Sequence, residues 1–232
     1  MSGATIDGKP GRLTTAIEEH RNAVRFVVTT DAPLYQDRLV HMGYERVSNE
    51  RCATRWFAPS PELPRYFARF AASIEPMVLQ SARLVRVPWE EALLEFLRRV
   101  EGSGLDWWLY GSAALAVRGL DIEPGDLDIN VSDAHAAGRV FDDLLVTPVE
   151  RMHGWAANYT GRAFCHAIIE WIAEPLAEHD DASAPNEQGP LIAERLEVVR
   201  WRGHRVRVPP LLSQLRVCER RGLTDRVALI HL

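Results

Sequence analysis

Two stretches, Asp106–Arg118 (DWWLYGSAALAVR) and Gly125–Val131 (GDLDINV), decide the fold of this chain. The first begins as a short apolar strand over Asp106–Tyr110, breaks at Gly111-Ser112 and resumes as a helix over Ala113–Arg118. A glycine at such a junction lets the backbone pass close to a ligand, and the helix that follows presents free N–H groups and the positive end of its dipole. The Ser112 hydroxyl adds a donor. Gly-Ser also serves simply as a turn and N-cap, and that reading stays open on this stretch alone. The second stretch alternates as a strand. Side chains two apart on a strand share a face, so Asp126 and Asp128 project together while Leu127 and Ile129 turn into the core. Two carboxylates held so close repel unless a cation lies between them, and a hard, oxygen-preferring ion such as Mg²⁺ fits. The plain alternative is a solvated strand edge carrying two charges.

Downstream, Ala163–Ala173 (AFCHAIIEWIA) reads as one long buried strand. Glu170 within it is costly unless paired or metal-bound. Glu170 shares a face with His166 and Ile168, and a neighbouring strand lies about 4.8 Å away, so it can complete a three-carboxylate cluster with Asp126 and Asp128. A buried Arg partner for Glu170 is the alternative. His166 reads as a core histidine, and Trp107-Trp108 as core. Rival motifs fail on their own spacing. A calcium loop starting at Asp126 needs Gly where Val131 stands and Glu where Ala137 stands. A zinc pair on a helix needs a second histidine beyond His166. A phosphatase-type Asp-x-Asp ends an apolar strand, whereas here the apolar run follows the first Asp. The aromatic and amide-rich loop Met152–Tyr159 either shapes an acceptor pocket or is ordinary surface.

Outward from this region the chain divides at Pro88, into a small N-terminal α/β module over 1–88 and a second domain over 89–232. In the module, residues 1–11 read as a frayed tail and Val24–Thr29 as a buried strand. Asp31-Ala32-Pro33 opens a helix that Gly43 stops. Short strands are expected at Tyr44–Ser48 and Cys52–Phe57, then a helix over Arg65–Ser73 limited by Pro76. No constellation in this module carries chemistry. In the second domain Trp89, Leu93, Phe96, Leu97 and Val100 line one helix face, with Glu90 and Glu91 in its first turn and Arg98 and Arg99 in its last. A helix capped by Ser132 or Asp133 runs to about Leu145, and Glu150–Arg162 is a loop. Glu178–Pro190 reads as a mobile polar loop. Glu197–Trp201 and His204–Val208 pair as a hairpin over Arg202-Gly203, and helices over Pro209–Arg221 and Leu223–Leu232 follow.

Lys+Arg 27 against Asp+Glu 32 leaves a net charge of −5, so bulk electrostatics do not favour a nucleic-acid partner. Lys9 is the only lysine, so any phosphate-binding cation here is an arginine. Cys52, Cys165 and Cys218 form no C-x-x-C pair and read as reduced thiols of a cytoplasmic protein. No stretch approaches the apolar length of a membrane span.

Taken in order, Leu109-Tyr110-Gly111-Ser112, then Gly125-Asp126-Leu127-Asp128-Ile129, then a downstream strand carboxylate resemble the signature of the nucleotidyltransferase superfamily. Its members include DNA polymerase β, the aminoglycoside and lincosamide nucleotidyltransferases and the minimal nucleotidyltransferases of toxin–antitoxin pairs. The resemblance covers about Trp89 to the C-terminus. It implies a nucleotidyltransferase fold, a small mixed sheet with helices of α/β to α+β class, behind the N-terminal α/β module. By that resemblance Gly111 and Ser112 contact the β/γ-phosphates of ATP or another NTP, and Asp126 and Asp128 bind Mg²⁺ or Mn²⁺. Glu170 corresponds to the third carboxylate, which positions a metal or acts as base on the acceptor hydroxyl. Relatives often carry a basic residue just before the Asp pair, where this chain has Glu123-Pro124-Gly125; Arg118 is the candidate substitute. They also use a lysine on the C-terminal helix against the triphosphate; here Arg216, Arg220, Arg221 and Arg226 are available, and Arg216 is the expected phosphate contact. The implied activity is metal-dependent transfer of a nucleoside monophosphate, AMP from ATP first, to a hydroxyl of a small molecule or a protein. The alternative, from a different class, is a non-catalytic, antitoxin-like member that binds nucleotide or a partner protein.

Overall fold

Alternating apolar and polar residues lay down a four-stranded antiparallel sheet in the first of two units, Met1–Arg86 and Val87–Leu232. The computed structural model describes residues 11–48, 50–152, 157–176, 180 and 185–231. Strands β1 (Leu13–His20), β2 (Ala23–Thr30), β3 (Glu45–Arg46) and β4 (Cys52–Phe57) lie in the order β1-β2-β4-β3. Helices α1 (Pro33–His41) and α2 (Leu63–Ser81) complete the unit. Phe26 of β2 stacks on Phe70 of α2 at 5.5 Å and tilts against Phe57 at 4.6 Å, which fixes α2 on the sheet.

Two expectations for this unit are corrected, and one strand is added. Strand β1 was hidden because its residues are only half-buried and carry Thr, Glu and His, so no apolar run marks it. The cap of α1 is Ala32, not Asp31; the Asp31 carboxylate instead accepts from the backbone N–H of Arg12 at 3.1 Å. Helix α2 does not stop before Pro76 but runs through it to Ser81. Proline removes one helical hydrogen bond there. Burial of Tyr66, Phe70, Ile74, Met77 and Val78 along one face outweighs that loss. The expected N-terminal tail lies mostly outside the described residues.

The second unit contains α3 (Trp89–Val100), β5 (Trp107–Tyr110), α4 (Gly111–Ala116), β6 (Leu127–Val131), α5 (Ala134–Val140), β7 (Glu150–Arg151), β8 (Ala157–Cys165) and β9 (Ala167–Pro175). It continues through α6 (Pro190–Ala193), β10 (Glu197–Trp201), β11 (His204–Val208), α7 (Leu211–Arg220) and α8 (Thr224–Ile230). Its five-stranded sheet has the order β5-β6-β9-β8-β7, with β6 and β9 parallel and the other pairs antiparallel. This is the mixed sheet with helices that the sequence leads one to expect. The hairpin β10–β11 also forms in the expected register, with Arg202 and Gly203 at φ 48° and 85°.

The run Ala163–Ala173 is not one strand. It breaks at His166, whose φ of 64° is left-handed, and β8 and β9 pair back on each other around it. No Gly, Pro or Asn announces this turn, although histidine tolerates the conformation better than most residues. His166 is therefore an exposed turn residue and shares no face with Glu170. Much of the expected loop Glu150–Arg162 is likewise strand, in β7 and β8, and α5 stops at Val140 short of Leu145.

The two faces of the sheet have different jobs. Leu109, Ile129 and Trp171 are cross-strand partners in one row, and Gly161 on β8 opposes Trp171. That row faces the core, where Trp171 lies 5.8 Å from Phe141, and Phe141 stacks on Phe96 of α3 at 5.4 Å. Gly161 is there for space, since a side chain at that position would run into the Trp171 indole. The opposite face carries the polar residues described next. Among the described residues no helix is long and apolar enough to cross a membrane, and Cys52, Cys165 and Cys218 are free.

Candidate functional site

Strand pairing places Tyr110, Asp128, Glu170 and Arg162 in one row across β5, β6, β9 and β8. Because cross-strand partners share a face, all four side chains project from the side of the sheet away from the Phe96–Phe141–Trp171 core. Asp126 lies in the bend just before β6, not within the strand as the sequence leads one to expect, and its charge acts on Asp128. Gly111, the residue after Tyr110, has φ of 66° and approaches Asp128 so closely that a β-carbon there would lie 2.5 Å from Asp128 Oδ2. Both conditions demand glycine. Gly111→Ala is expected to lower stability by about 1–2 kcal/mol from the left-handed backbone alone and to push Asp128 out of place. A thermal melt and a nucleotide titration on the variant check both effects.

The charge balance of this face is strongly negative. Burial raises the Asp128 carboxyl well above its ordinary value, and Asp126, Glu170 and Glu187 raise it further, with Arg221 opposing. The Tyr110 phenol is raised by burial and then by Asp128, Glu170, Glu187 and Asp126. Four carboxylates thus converge around one phenol. Glu170 is held by Arg162, whose Nη2 lies 3.2 and 3.1 Å from its two carboxylate oxygens.

Glu187 is the residue that sequence reasoning missed. It lies in the segment expected to be a mobile loop, yet it is buried at 7% exposure. Its Oε2 accepts the Gly111 N–H at 2.6 Å. The strap around it is tied down by Trp108 Nε1 donating to the Glu187 carbonyl at 3.0 Å and Asn130 Nδ2 donating to the Gln188 carbonyl at 2.9 Å. Trp108 and Asn130 are themselves a cross-strand pair one row from Tyr110 and Asp128. Gln214, fully buried in α7, donates from Nε2 to the Gly111 carbonyl at 3.3 Å and also holds the Glu187 carboxylate. Burial raises the Glu187 carboxyl; the Gly111 N–H, Gln214, Arg221 and Arg226 oppose that rise.

The expected site residues are distributed as follows. Gly111, Asp128 and Glu170 converge on one face, Asp126 lies in the bend just ahead of β6 and acts electrostatically on Asp128, and Ser112 is buried in the first turn of α4. Arg118 is engaged elsewhere: its Nη2 binds Glu197 Oε2 at 2.6 Å and the Pro209 carbonyl at 2.7 Å, fastening β10 and the start of α7. Arg216 is exposed on α7, and of the C-terminal arginines it is Arg221 and Arg226 whose charges act on Asp128 and Glu187. The Arg162 partner of Glu170 was open to inspection, since residues 162 and 170 are equidistant from His166 once the turn is placed there. Residues 153–156 of the loop Met152–Tyr159 lie outside the described residues.

Carboxylate oxygens are the donors that a hard divalent cation prefers, and the excess negative charge around Asp128 gives such an ion a place. Among the described residues no three His, Cys, Asp or Glu side chains form a ready-made metal centre. Asp126 and Asp128 therefore suit an ion that arrives with phosphate oxygens to complete its shell.

No family model matches the chain, and no curated protein is similar to it in sequence. Two solved structures are similar in fold. One is assigned as a nucleotidyltransferase from Thermotoga maritima, 16% identical, with TM-score 0.46, covering 62% of this chain and 92% of its own. The other is the lincosamide antibiotic adenylyltransferase LnuA in its lincomycin-bound form, 15% identical, with TM-score 0.39, covering 56% of this chain and 85% of its own. At such identity and score neither likeness identifies an activity.

Proposed function

We propose that the second unit is a metal-dependent nucleotidyltransferase that moves a nucleoside monophosphate, AMP from ATP first, to a hydroxyl of a small molecule or protein. The observation that carries this reading is the meeting of the Gly111 turn with Asp128 and Glu170 on a single sheet face. Asp126 and Asp128 hold Mg²⁺ or Mn²⁺, and the Gly111-Ser112 turn receives the β/γ-phosphates. Glu170 takes the third carboxylate position with Arg162 as its counter-charge, and Arg221 and Arg226 face the triphosphate. When bound, the ion neutralises the triphosphate and supports in-line displacement at the α-phosphorus. The chain's own contribution is positioning and charge placement, which suffices for phosphoryl chemistry of this kind. The acceptor is a small molecule before a nucleic acid, since the chain has a net charge of −5 and no sequence signature of a basic groove.

The ³¹P spectrum of ATP with Mg²⁺ tests the reading. Substoichiometric wild-type protein is expected to broaden the β- and γ-phosphate resonances, and Asp128→Asn to leave them sharp. Sharp resonances for every nucleotide with folded wild type contradict the proposal. A second reading, a non-catalytic member that holds nucleotide or a protein partner, draws on the Arg162–Glu170 pair, which occupies the third carboxylate. It predicts nucleotide binding without pyrophosphate release whatever hydroxyl compound is offered.

A further inference from the structure

We propose that Glu187 is a built-in competitor for the nucleotide: its carboxylate occupies the phosphate position on the Gly111 N–H, and nucleotide binds as the strap around Glu187 leaves. This inference rests on the proposed function. A single N–H serves one strong acceptor at a time, and the 2.6 Å contact from Gly111 to Glu187 Oε2 uses it fully. The charge is the informative feature. A glutamine at 187 could accept the same backbone N–H and add no charge to a face already carrying Asp126, Asp128 and Glu170. A negative group at this point is poor for stability and well suited to mimic a phosphate.

The groups that hold the Glu187 carboxylate are those a phosphate would take over. Gly111 N–H and Gln214 bind it directly, and the charges of Arg221 and Arg226 act on it. The exchange therefore leaves each of these donors satisfied in both states, an arrangement that favours two alternatives separated by little free energy. The strap's other ties to the rest of the unit include single hydrogen bonds from Trp108 and Asn130 to backbone carbonyls and from Arg220 Nη2 to Asn186 Oδ1 at 3.1 Å. An occupied site lowers apparent affinity by the fraction of molecules in which it is open.

The test is a calorimetric titration of ATP with Mg²⁺ into wild type, Glu187→Gln and Glu187→Ala, with circular dichroism melts to verify folding. Glu187→Ala, which removes the acceptor, is expected to bind ATP tighter, by about tenfold if the strap is closed in nine molecules of ten, and Glu187→Gln, which keeps the acceptor and loses only the charge, by less. The Trp108 indole N–H resonance is a second readout, because its partner is the Glu187 carbonyl. It is expected to shift when ATP binds the wild type. Equal or weaker binding by both folded variants, or ATP binding that leaves the Trp108 signal in place, overturns the competition while the nucleotide site stands. Absence of binding to wild type and both variants overturns the nucleotide site itself and the competition with it.

Discussion

Asp128→Asn is expected to abolish Mg²⁺-dependent nucleotide binding and, at neutral pH, to raise the melting temperature. The loss follows from the position of Asp128 against the Gly111 turn and beside Asp126. Outer-sphere partners of a bound metal cost 10–100-fold in affinity when removed, so a direct carboxylate ligand should cost at least about a hundredfold. The gain in stability follows from the same geometry. Burial and the charges of Asp126, Glu170 and Glu187 disfavour the ionised form of Asp128 in its partly buried site, and the amide carries none of that penalty. In a chain of this size each kcal/mol of relief shifts the melting temperature by roughly 2–4 °C.

The pH dependence gives the sign of this effect. The folded Asp128 carboxyl is raised above its ordinary value of 3.8, by burial first and the neighbouring carboxylates next. Between the ordinary and the raised value the folded protein binds more protons than the unfolded chain, so this group's contribution to stability falls as pH rises through that window. Wild type is therefore expected to recover stability relative to Asp128→Asn as pH falls from neutral toward 4. Melts of the two proteins across that range check it. A variant that is less stable than wild type at neutral pH would show that Asp128 is held by compensating contacts and that the charge imbalance is not real.

Arg162→Met is expected to destabilise the second unit by about 3 kcal/mol, because it leaves Glu170 without its counter-charge in the middle of the sheet. The side chains are 10% and 29% exposed, so solvent screens the pair only in part. Restoring neutrality with Arg162→Met/Glu170→Gln should recover most of the loss, and urea denaturation of the single and double variants measures the coupling. A single variant within about 0.5 kcal/mol of wild type would mean that Glu170 needs no partner there.

The site was legible in the sequence where local rules govern it. Gly111 is forced by a left-handed turn, and strand alternation turns Asp128 to the polar face, although Asp126 falls in the bend before the strand. The Glu197–Trp201/His204–Val208 hairpin announces itself through Arg202-Gly203. What escaped depends on contacts distant in sequence. A continuous apolar run concealed the His166 turn, because strands buried on one face and flanked by sheet on both sides look alike on either side of a turn. Without that turn, Arg162 had no visible partner. Glu187 lies in a polar, Asp- and Pro-rich stretch whose composition signals a surface loop, and only tertiary contacts with Gly111, Trp108 and Gln214 bury it. Arg118 shows the reverse case: a basic residue near the motif is used to fasten β10 and α7. Pro76 teaches the same lesson in the first unit, where the buried face of α2 overrides a residue that ordinarily ends helices.

The central claim is that the Gly111 turn and the Asp126/Asp128 pair form one nucleotide site. Calorimetric titration of ATP, GTP, CTP and UTP, each with and without Mg²⁺, into wild type and Asp126→Asn/Asp128→Asn tests it most directly. The predicted result is Mg²⁺-dependent binding of at least one nucleotide by wild type and none by the folded double variant. Binding that survives the double substitution, or no binding by wild type at all, would contradict it.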